Sequence, residues 1–170
     1  MEIIIKKTGL IKISKHINKC YLGKNGVTSY KKEGDLKTPI GTFPLKYVMY
    51  RSDRIKKPRT NLPVHVIKKD HICCDDINNS NYNKIFQTKN FKLGEKLWRK
   101  DHLYDILIVI GYNYDPTIKG KGSAIFLHLS EKKTTATKGC IAVQKEFMFY
   151  LLNSHLKKIS IYDWIILIYF

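Results

Sequence analysis

Short apolar runs rich in β-branched and aromatic residues, separated by turn signals, recur through the first half of the chain. This pattern is typical of strands and predicts a β-rich N-terminal half. Asn25-Gly26 is the strongest hairpin signal, because both residues tolerate the positive φ of a type I′ turn. We therefore expect a hairpin that joins a strand over residues 19–22 to a strand over residues 27–30.

Two further strands are predicted over residues 105–112 and 123–129, because each apolar run has the length of a strand. Successive side chains of a strand point to opposite faces. The alternation in the second strand places Ala124, Phe126 and His128 on one face and Ile125, Leu127 and Leu129 on the other.

Residues 67–100 are polar and aromatic without a clean period, which indicates a long structured insertion with short helical turns. Residues 144–158 carry apolar side chains, Phe147 and Leu151 among them, at three- and four-residue spacing, which predicts an amphipathic helix. Residues 159–170 return to β-branched and aromatic character and are interpreted as a last strand. The fold class predicted is mainly β: two packed sheets or one curled sheet, a C-terminal helix against it, and short helices in the insertion.

The length of 170 residues suits one domain over residues 1–170, and 44% hydrophobic against 26% charged residues permits a sizeable core. This composition excludes wholesale disorder. No apolar run approaches the ~20 residues of a spanning helix, so we expect no integral membrane segment.

The 31 Lys and Arg against 14 Asp and Glu give a net charge of +17, which attracts polyanions in general. The densest basic cluster, from Arg51 to Arg59, lies in a predicted loop and lacks the helical spacing of a groove-reading helix. We therefore expect a lysine-rich solvated surface and no nucleic-acid partner.

The four cysteines, Cys20, Cys73, Cys74 and Cys140, are expected to be free thiols, because four in 170 residues fall short of a disulfide scaffold. The segment from His71 to Asp76 concentrates possible zinc ligands. Adjacent cysteines do not readily bind one tetrahedral ion, so we predict no metal site and no cofactor.

His128 ends a predicted strand, and Cys140 follows Gly139 after a short polar loop. A thiol with an ordinary pKa is only a few per cent thiolate at neutral pH, so a nucleophilic cysteine needs a nearby imidazole or a positive environment. Amides around Gly139 and Cys140 are candidate donors to an oxyanion. On these residues alone, a catalytic pair and two ordinary buried side chains both stay open.

The motif His128, followed by Thr137-Lys138-Gly139-Cys140, resembles the active-site motif of the L,D-transpeptidase (YkuD-like) catalytic domain. Thr38-Pro39-Ile40-Gly41-Thr42-Phe43 is similar to that family's Thr-Pro-x-Gly-x-Phe turn, and the resemblance extends over nearly the whole chain. Residues 20–27, 74–76, 97–105 and 122–126 are similar to a compact single-domain branch found in alphaproteobacteria. One departure is Ala142, where many members carry arginine.

This resemblance implies a YkuD-like β-sandwich in which Cys140 is the nucleophile and His128 the acid and base. It implies that the carbonyl of Lys138 or a neighbour orients His128, and that the Gly139 region serves the oxyanion. Arg99, His102 and Tyr104 lie in a stretch that matches the compact branch and are candidate contacts to substrate carboxylates. The alternative, with Trp98 and Tyr104 as core and Arg99 as a surface cation, stays open. Thr38, Pro39 and Gly41 are interpreted as turn formers.

The family's activity implies that Cys140 attacks peptidoglycan stem peptides, forms a thioester and transfers the acyl group to an amine. Two alternatives are a carboxypeptidase or other peptidoglycan amide hydrolase that uses the same pair, and a non-catalytic wall-binding module. We expect a monomer without cofactor. The implied substrate lies in the cell envelope or periplasm, whereas the first residues show no export signal, so a cytoplasmic location also stays open.

Overall fold

The computed structural model describes residues 1–163, which form a mainly β structure with one α-helix, α1 (Lys145–Leu152), and one 3₁₀ helix (Phe91–Leu93). The strands are β1 (Glu2–Lys6), β2 (Leu10–Ile13), β3 (His16–Lys19), β4 (Val27–Thr28), β5 (Thr38–Pro39), β6 (Gly41–Tyr50), β7 (Val64–Val66), β8 (His71–Cys74), β9 (Ile85–Gln87), β10 (Gly94–Lys96), β11 (Ile106–Ile110), β12 (Ile125–Leu129), β13 (Ile141–Val143) and β14 (Lys158–Tyr162). The predicted fold class is confirmed.

One large sheet carries the order β13-β12-β11-β6-β14-β1-β2-β3, with β7 paired to β6. The ten-residue strand β6 joins its two parts: residues 41–44 pair with β14, and residues 45–50 pair with β11. Strands β10, β8 and β9 form a second, smaller sheet, and β4 pairs with β5 in a two-stranded one.

Both faces of β12 are buried, and they belong to different clusters. Ile125, Leu127 and Leu129 join the larger core, to which α1 also contributes. Phe126 belongs to a second cluster, which includes Cys73 of β8 and against which Cys140 packs. The predicted alternation along this strand is confirmed, and the predicted strands over 105–112 and 123–129 are present as the slightly shorter β11 and β12.

The predicted hairpin at Asn25-Gly26 is wrong, although the chain does turn there. Gly26 has a φ of +83° and its N–H donates to the carbonyl of Gly23. Strand β3 pairs with β2, whereas β4 pairs in parallel with β5. Tyr21 bridges to Ala142, so the segment before the turn pairs with chain from the C-terminal third. Tertiary pairing therefore overrides the local signal.

The predicted helix over residues 144–158 exists only as α1, and five residues separate its end from the strand β14. Beyond α1, both backbone polar groups of Leu156 bond to the side-chain amide of Asn61, and the N–H of Lys157 donates to the carbonyl of Met1. These contacts draw the chain into β14, which pairs in parallel with β1. The strand predicted over residues 159–170 is confirmed as β14. Residues 164–170 of that prediction lie outside the described residues.

The central insertion carries more strand than predicted, because β8, β9 and β10 form the small sheet that covers the second cluster. Its short helical part is the 3₁₀ helix. Among residues 1–163, no helix combines the length and the apolar character needed to cross a bilayer.

We predict that Leu151→Ala lowers the free energy of unfolding by about 2–5 kcal/mol, because the Leu151 side chain on α1 is fully buried in the larger core. Urea denaturation measures this. The exposed Lys145 of the same helix supplies the control, since Lys145→Ala is expected to change stability by less than about 0.5 kcal/mol. Equal losses of stability in the two variants would contradict the burial of Leu151 in the core.

Candidate active site

The parallel pairing of β12 and β13 brings the segments of His128 and Cys140 side by side. His128 stands opposite Ala142, and Cys140 directly precedes β13. The sulfur of Cys140 accepts a hydrogen bond from the backbone N–H of Phe126 at 3.3 Å. The side chain thus sits at the end of the ladder, on the strand face that Phe126 and His128 share.

The His128 imidazole is 5% exposed, and its Nδ1 lies 2.8 Å from the carbonyl oxygen of Leu129. A carbonyl can only accept, so we assign the proton of the neutral ring to Nδ1, which leaves Nε2 as an acceptor. The expectation that Lys138 or a neighbour orients this ring is wrong. The residue that follows His128 on its own strand does so, because the ring folds back along β12.

Tyr104 forms a wall beside the imidazole. Its ring meets His128 edge-to-face at 5.2 Å and Phe126 at 5.9 Å, and its side chain is buried. The Tyr104 hydroxyl donates to Glu95 at 3.0 Å. Arg99 lies 5.1 Å from the same ring, so the structure brings Arg99 and Tyr104 to the His128 side of the site.

Arg99 is held by carboxylates. Its guanidinium binds Asp101 through Nε at 2.8 Å and Nη2 at 2.6 Å, and Glu95 through Nη1 at 3.2 Å. Its side chain remains 30% exposed. Trp98 packs against the second cluster, and the guanidinium of Arg51 lies over its ring at 3.5 Å. Arg99 is therefore a half-exposed cation fixed in place by acidic neighbours.

His102, the third predicted contact, is not brought to the same place. Its side chain is 70% exposed, and its Nδ1 lies 2.7 Å from Asp105. The other carboxylate oxygen of Asp105 binds Arg54. His102 is therefore the exposed member of an ion cluster around the buried Asp105, and its predicted role stays a prediction.

Two threonine hydroxyls hold the backbone of Gly139 and Cys140. Thr38 Oγ1 donates to the Gly139 carbonyl at 2.9 Å, and Thr137 Oγ1 donates to the Cys140 carbonyl at 2.6 Å. Gly139 has a φ of +135°, and a Cβ there would meet the Lys37 carbonyl at 2.9 Å. Glycine is therefore required for both backbone conformation and close approach.

The Gly139 amide donates to Thr137 Oγ1 at 3.1 Å, so it is already engaged. The expectation that Gly139 serves the oxyanion stays a prediction, and the Cys140 amide is the second candidate donor. Lys138 itself is exposed.

Sequence reasoning missed the role of Thr38 in the site, because this residue was interpreted as a turn former. It lies 101 residues from Gly139 and is fully buried. The family resemblance of its turn marked the segment, but nothing in the local sequence names the atom that its hydroxyl contacts.

The other three cysteines differ from Cys140 in burial. Cys20, Cys73 and Cys74 are buried, whereas Cys140 is half-buried. Cys140 is thus the cysteine that is accessible from the surface and also lies beside β12, the strand that carries His128.

Comparison with protein families agrees with this geometry: the family model of the L,D-transpeptidase catalytic domain, YkuD, matches residues 5–158. The chain belongs to this family. The resemblance seen in the sequence is confirmed at the level of the L,D-transpeptidase family, whose members are peptidoglycan enzymes. Assignment to the compact branch stays a prediction.

Solved structures similar to this L,D-transpeptidase-family chain include the helical cell shape determining protein Pgp2 from Campylobacter jejuni, with a TM-score of 0.48 and 16% identity. Another is Bd1075 from Bdellovibrio bacteriovorus, with a TM-score of 0.46 and 15% identity. Each alignment covers 95% of this chain and 47% of the other, so the chain spans about half the length of these structures. Comparison with proteins of curated function finds no match.

Burial controls the protonation of the pair. It lowers the pKa of His128 to about 4, against the opposing effect of the hydrogen bond to Leu129. It raises the pKa of the Cys140 thiol to about 12, helped by Glu95 and opposed by the Phe126 N–H and Lys31. Both groups are therefore neutral at pH 7. The positive charge near Cys140, from Lys31, is too weak to hold a resting thiolate.

We predict that His128 makes the fold sensitive to acid. Its pKa is lower in the folded state than the usual 6.5, so the unfolded chain binds the extra proton and stability falls as the pH drops from 6.5 through 4. Relative to His128→Gln, the wild type should lose about 2 kcal/mol between pH 7 and pH 5. Urea denaturation of both proteins at the two pH values measures the difference, and parallel losses would contradict the lowered pKa.

Proposed function

We propose that this protein is a cysteine-dependent L,D-transpeptidase that acts on peptidoglycan stem peptides. The observation that carries the proposal is the placement of a half-buried thiol beside the strand of a buried imidazole whose Nε2 is left as an acceptor. Family membership supports the substrate class. Because that substrate lies in the cell wall, we propose that the protein works in the envelope.

In the first half-reaction, the sulfur of Cys140 attacks the carbonyl that joins diaminopimelate to D-Ala. His128 Nε2 accepts the thiol proton as the C–S bond forms, because both groups start neutral. The Cys140 N–H donates to the developing oxyanion. His128 then returns the proton to the leaving D-Ala amine, and a thioester remains on Cys140.

In the second half-reaction, an acceptor amine attacks the thioester carbonyl. His128 takes a proton from this amine and delivers it to the departing sulfur, so the free thiol is restored and an amide crosslink is formed. Water in place of the amine gives a tripeptide, which is the carboxypeptidase outcome.

Side chains around the pair suit a charged peptide. Arg99 is fixed by Asp101 and Glu95 yet keeps 30% of its side chain exposed, as a carboxylate contact requires. Tyr104 acts through its packing against His128, since its hydroxyl is bound to Glu95. The exposed Lys138 adds a cation whose charge favours the ionised forms of Glu95 and Asp75.

We predict that the wild type converts a disaccharide-tetrapeptide containing diaminopimelate to crosslinked dimers and free D-Ala, whereas Cys140→Ala forms neither product. The thiol forms the covalent intermediate, so its removal should abolish turnover. Mass spectrometry resolves the dimers, the D-Ala and the thioester adduct.

Cys20→Ala is the matched control, because Cys20 is a buried thiol outside the site and its loss should leave turnover intact. Tripeptide without dimers would assign a carboxypeptidase. Wall binding that persists in Cys140→Ala, with no turnover by the folded wild type, would assign a non-catalytic module.

We also predict that iodoacetamide modifies Cys140 with a rate that still rises about tenfold per pH unit between pH 7 and pH 9. The raised pKa of the thiol leaves the thiolate a small fraction throughout this range. Intact mass measured over time gives the rate, with Cys140→Ala to subtract other cysteines. A rate that is already level from pH 6 to pH 9 would instead indicate a resting thiolate–imidazolium pair.

A further inference from the structure

We propose that Thr38 is a positioning residue that aims the Cys140 N–H at the oxyanion formed during acylation. This proposal rests on the proposed function, because it takes Cys140 as the residue that is acylated. It does not depend on which acyl donor is the natural substrate. Thr38 contacts no reacting atom, and it acts through the peptide bond between Gly139 and Cys140.

The Thr38 hydroxyl is fully specified by its neighbours. It accepts a hydrogen bond from the Gly23 N–H at 2.8 Å, and its own proton points to the Gly139 carbonyl at 2.9 Å. The Cys140 carbonyl lies farther away, at 3.5 Å, and already accepts from Thr137. A hydroxyl has one proton to donate, so Gly139 receives it.

The backbone around Thr38 leaves no room for a different arrangement. A Cβ at Gly23 would meet the Leu36 carbonyl at 2.4 Å, so Gly23 approaches this turn closely because it lacks a side chain. Thr38 itself lies in β5, which pairs with β4, and its side chain is 0% exposed. The hydroxyl is therefore buried between two closely packed backbone segments.

A planar trans peptide transmits this constraint to Cys140. The carbonyl of Gly139 and the N–H of Cys140 belong to one plane and point in opposite directions. Fixing the carbonyl toward Thr38 therefore fixes the direction of the Cys140 N–H. The N–H of a nucleophilic residue is a known type of oxyanion donor in acyl transfer.

The test separates a reaction that develops an oxyanion from one that does not. With 4-nitrophenyl acetate, the sulfur bonds to the acetyl carbon, the C–O bond breaks to release 4-nitrophenolate, and the thiol proton passes to His128. With iodoacetamide, the sulfur displaces iodide and no oxyanion forms. Rates of both reactions at Cys140 are measured by intact mass for the wild type, Thr38→Val, Thr38→Ser and Thr28→Val.

We predict that Thr38→Val lowers the acetylation rate about 10-fold to 100-fold, because the N–H loses its alignment. Its iodoacetamide rate should stay within about twofold of wild type, since that reaction needs no oxyanion donor. Thr38→Ser keeps the hydroxyl and should restore acetylation. Thr28→Val is the matched control: Thr28 lies on the paired strand β4, and its hydroxyl accepts from the Tyr30 N–H.

Equal losses in both reactions, or unchanged acetylation in Thr38→Val, would overturn the proposal. If Thr38→Val does not fold, Thr38→Ala is measured in its place, and failure of both to fold would make the hydroxyl a folding requirement and likewise overturn it. Acetylation that follows the predicted pattern in a protein that does not turn over stem peptides would support Thr38 and reject the proposed substrate.

Discussion

The parallel pairing of β12 with β13 is the constraint on which the candidate site depends. It places His128 opposite Ala142 and leaves Cys140 one residue before the ladder begins. At that point, the Phe126 N–H meets the sulfur. The imidazole and the thiol are thus linked by eleven residues that connect two paired strands, and the strands carry the precision that a loop alone would lack.

The second constraint is burial, which acts on packing and on chemistry together. The cluster under Phe126 and Tyr104 takes the imidazole out of water, and the same desolvation disfavours both the imidazolium and the thiolate. The proposed reaction then begins from a neutral pair, with charge appearing only as the thiol proton moves. Donors that are fixed beforehand are most effective for charge that develops in this way.

Sequence patterns predicted the features that depend on local period and on motif. Alternation along β12 sorted its side chains between two cores, and the motif around His128 and Cys140 identified the family. The hairpin at Asn25-Gly26 failed, because β4 found its partner in β5. Contacts across 101 residues, such as Thr38 to Gly139, leave no local trace. The bond of His128 Nδ1 to the Leu129 carbonyl likewise depends on how the imidazole folds back along its own strand.

The neutral state of Cys140 also bears on how the protein survives oxidation. Peroxide reacts with thiolates to give sulfenic acid, so the rate follows the thiolate fraction as well as exposure. A thiol whose pKa is raised to about 12 offers peroxide little of the reactive form between turnovers. The burial that, in the proposed mechanism, makes Cys140 dependent on His128 for activation therefore also protects the thiol between turnovers.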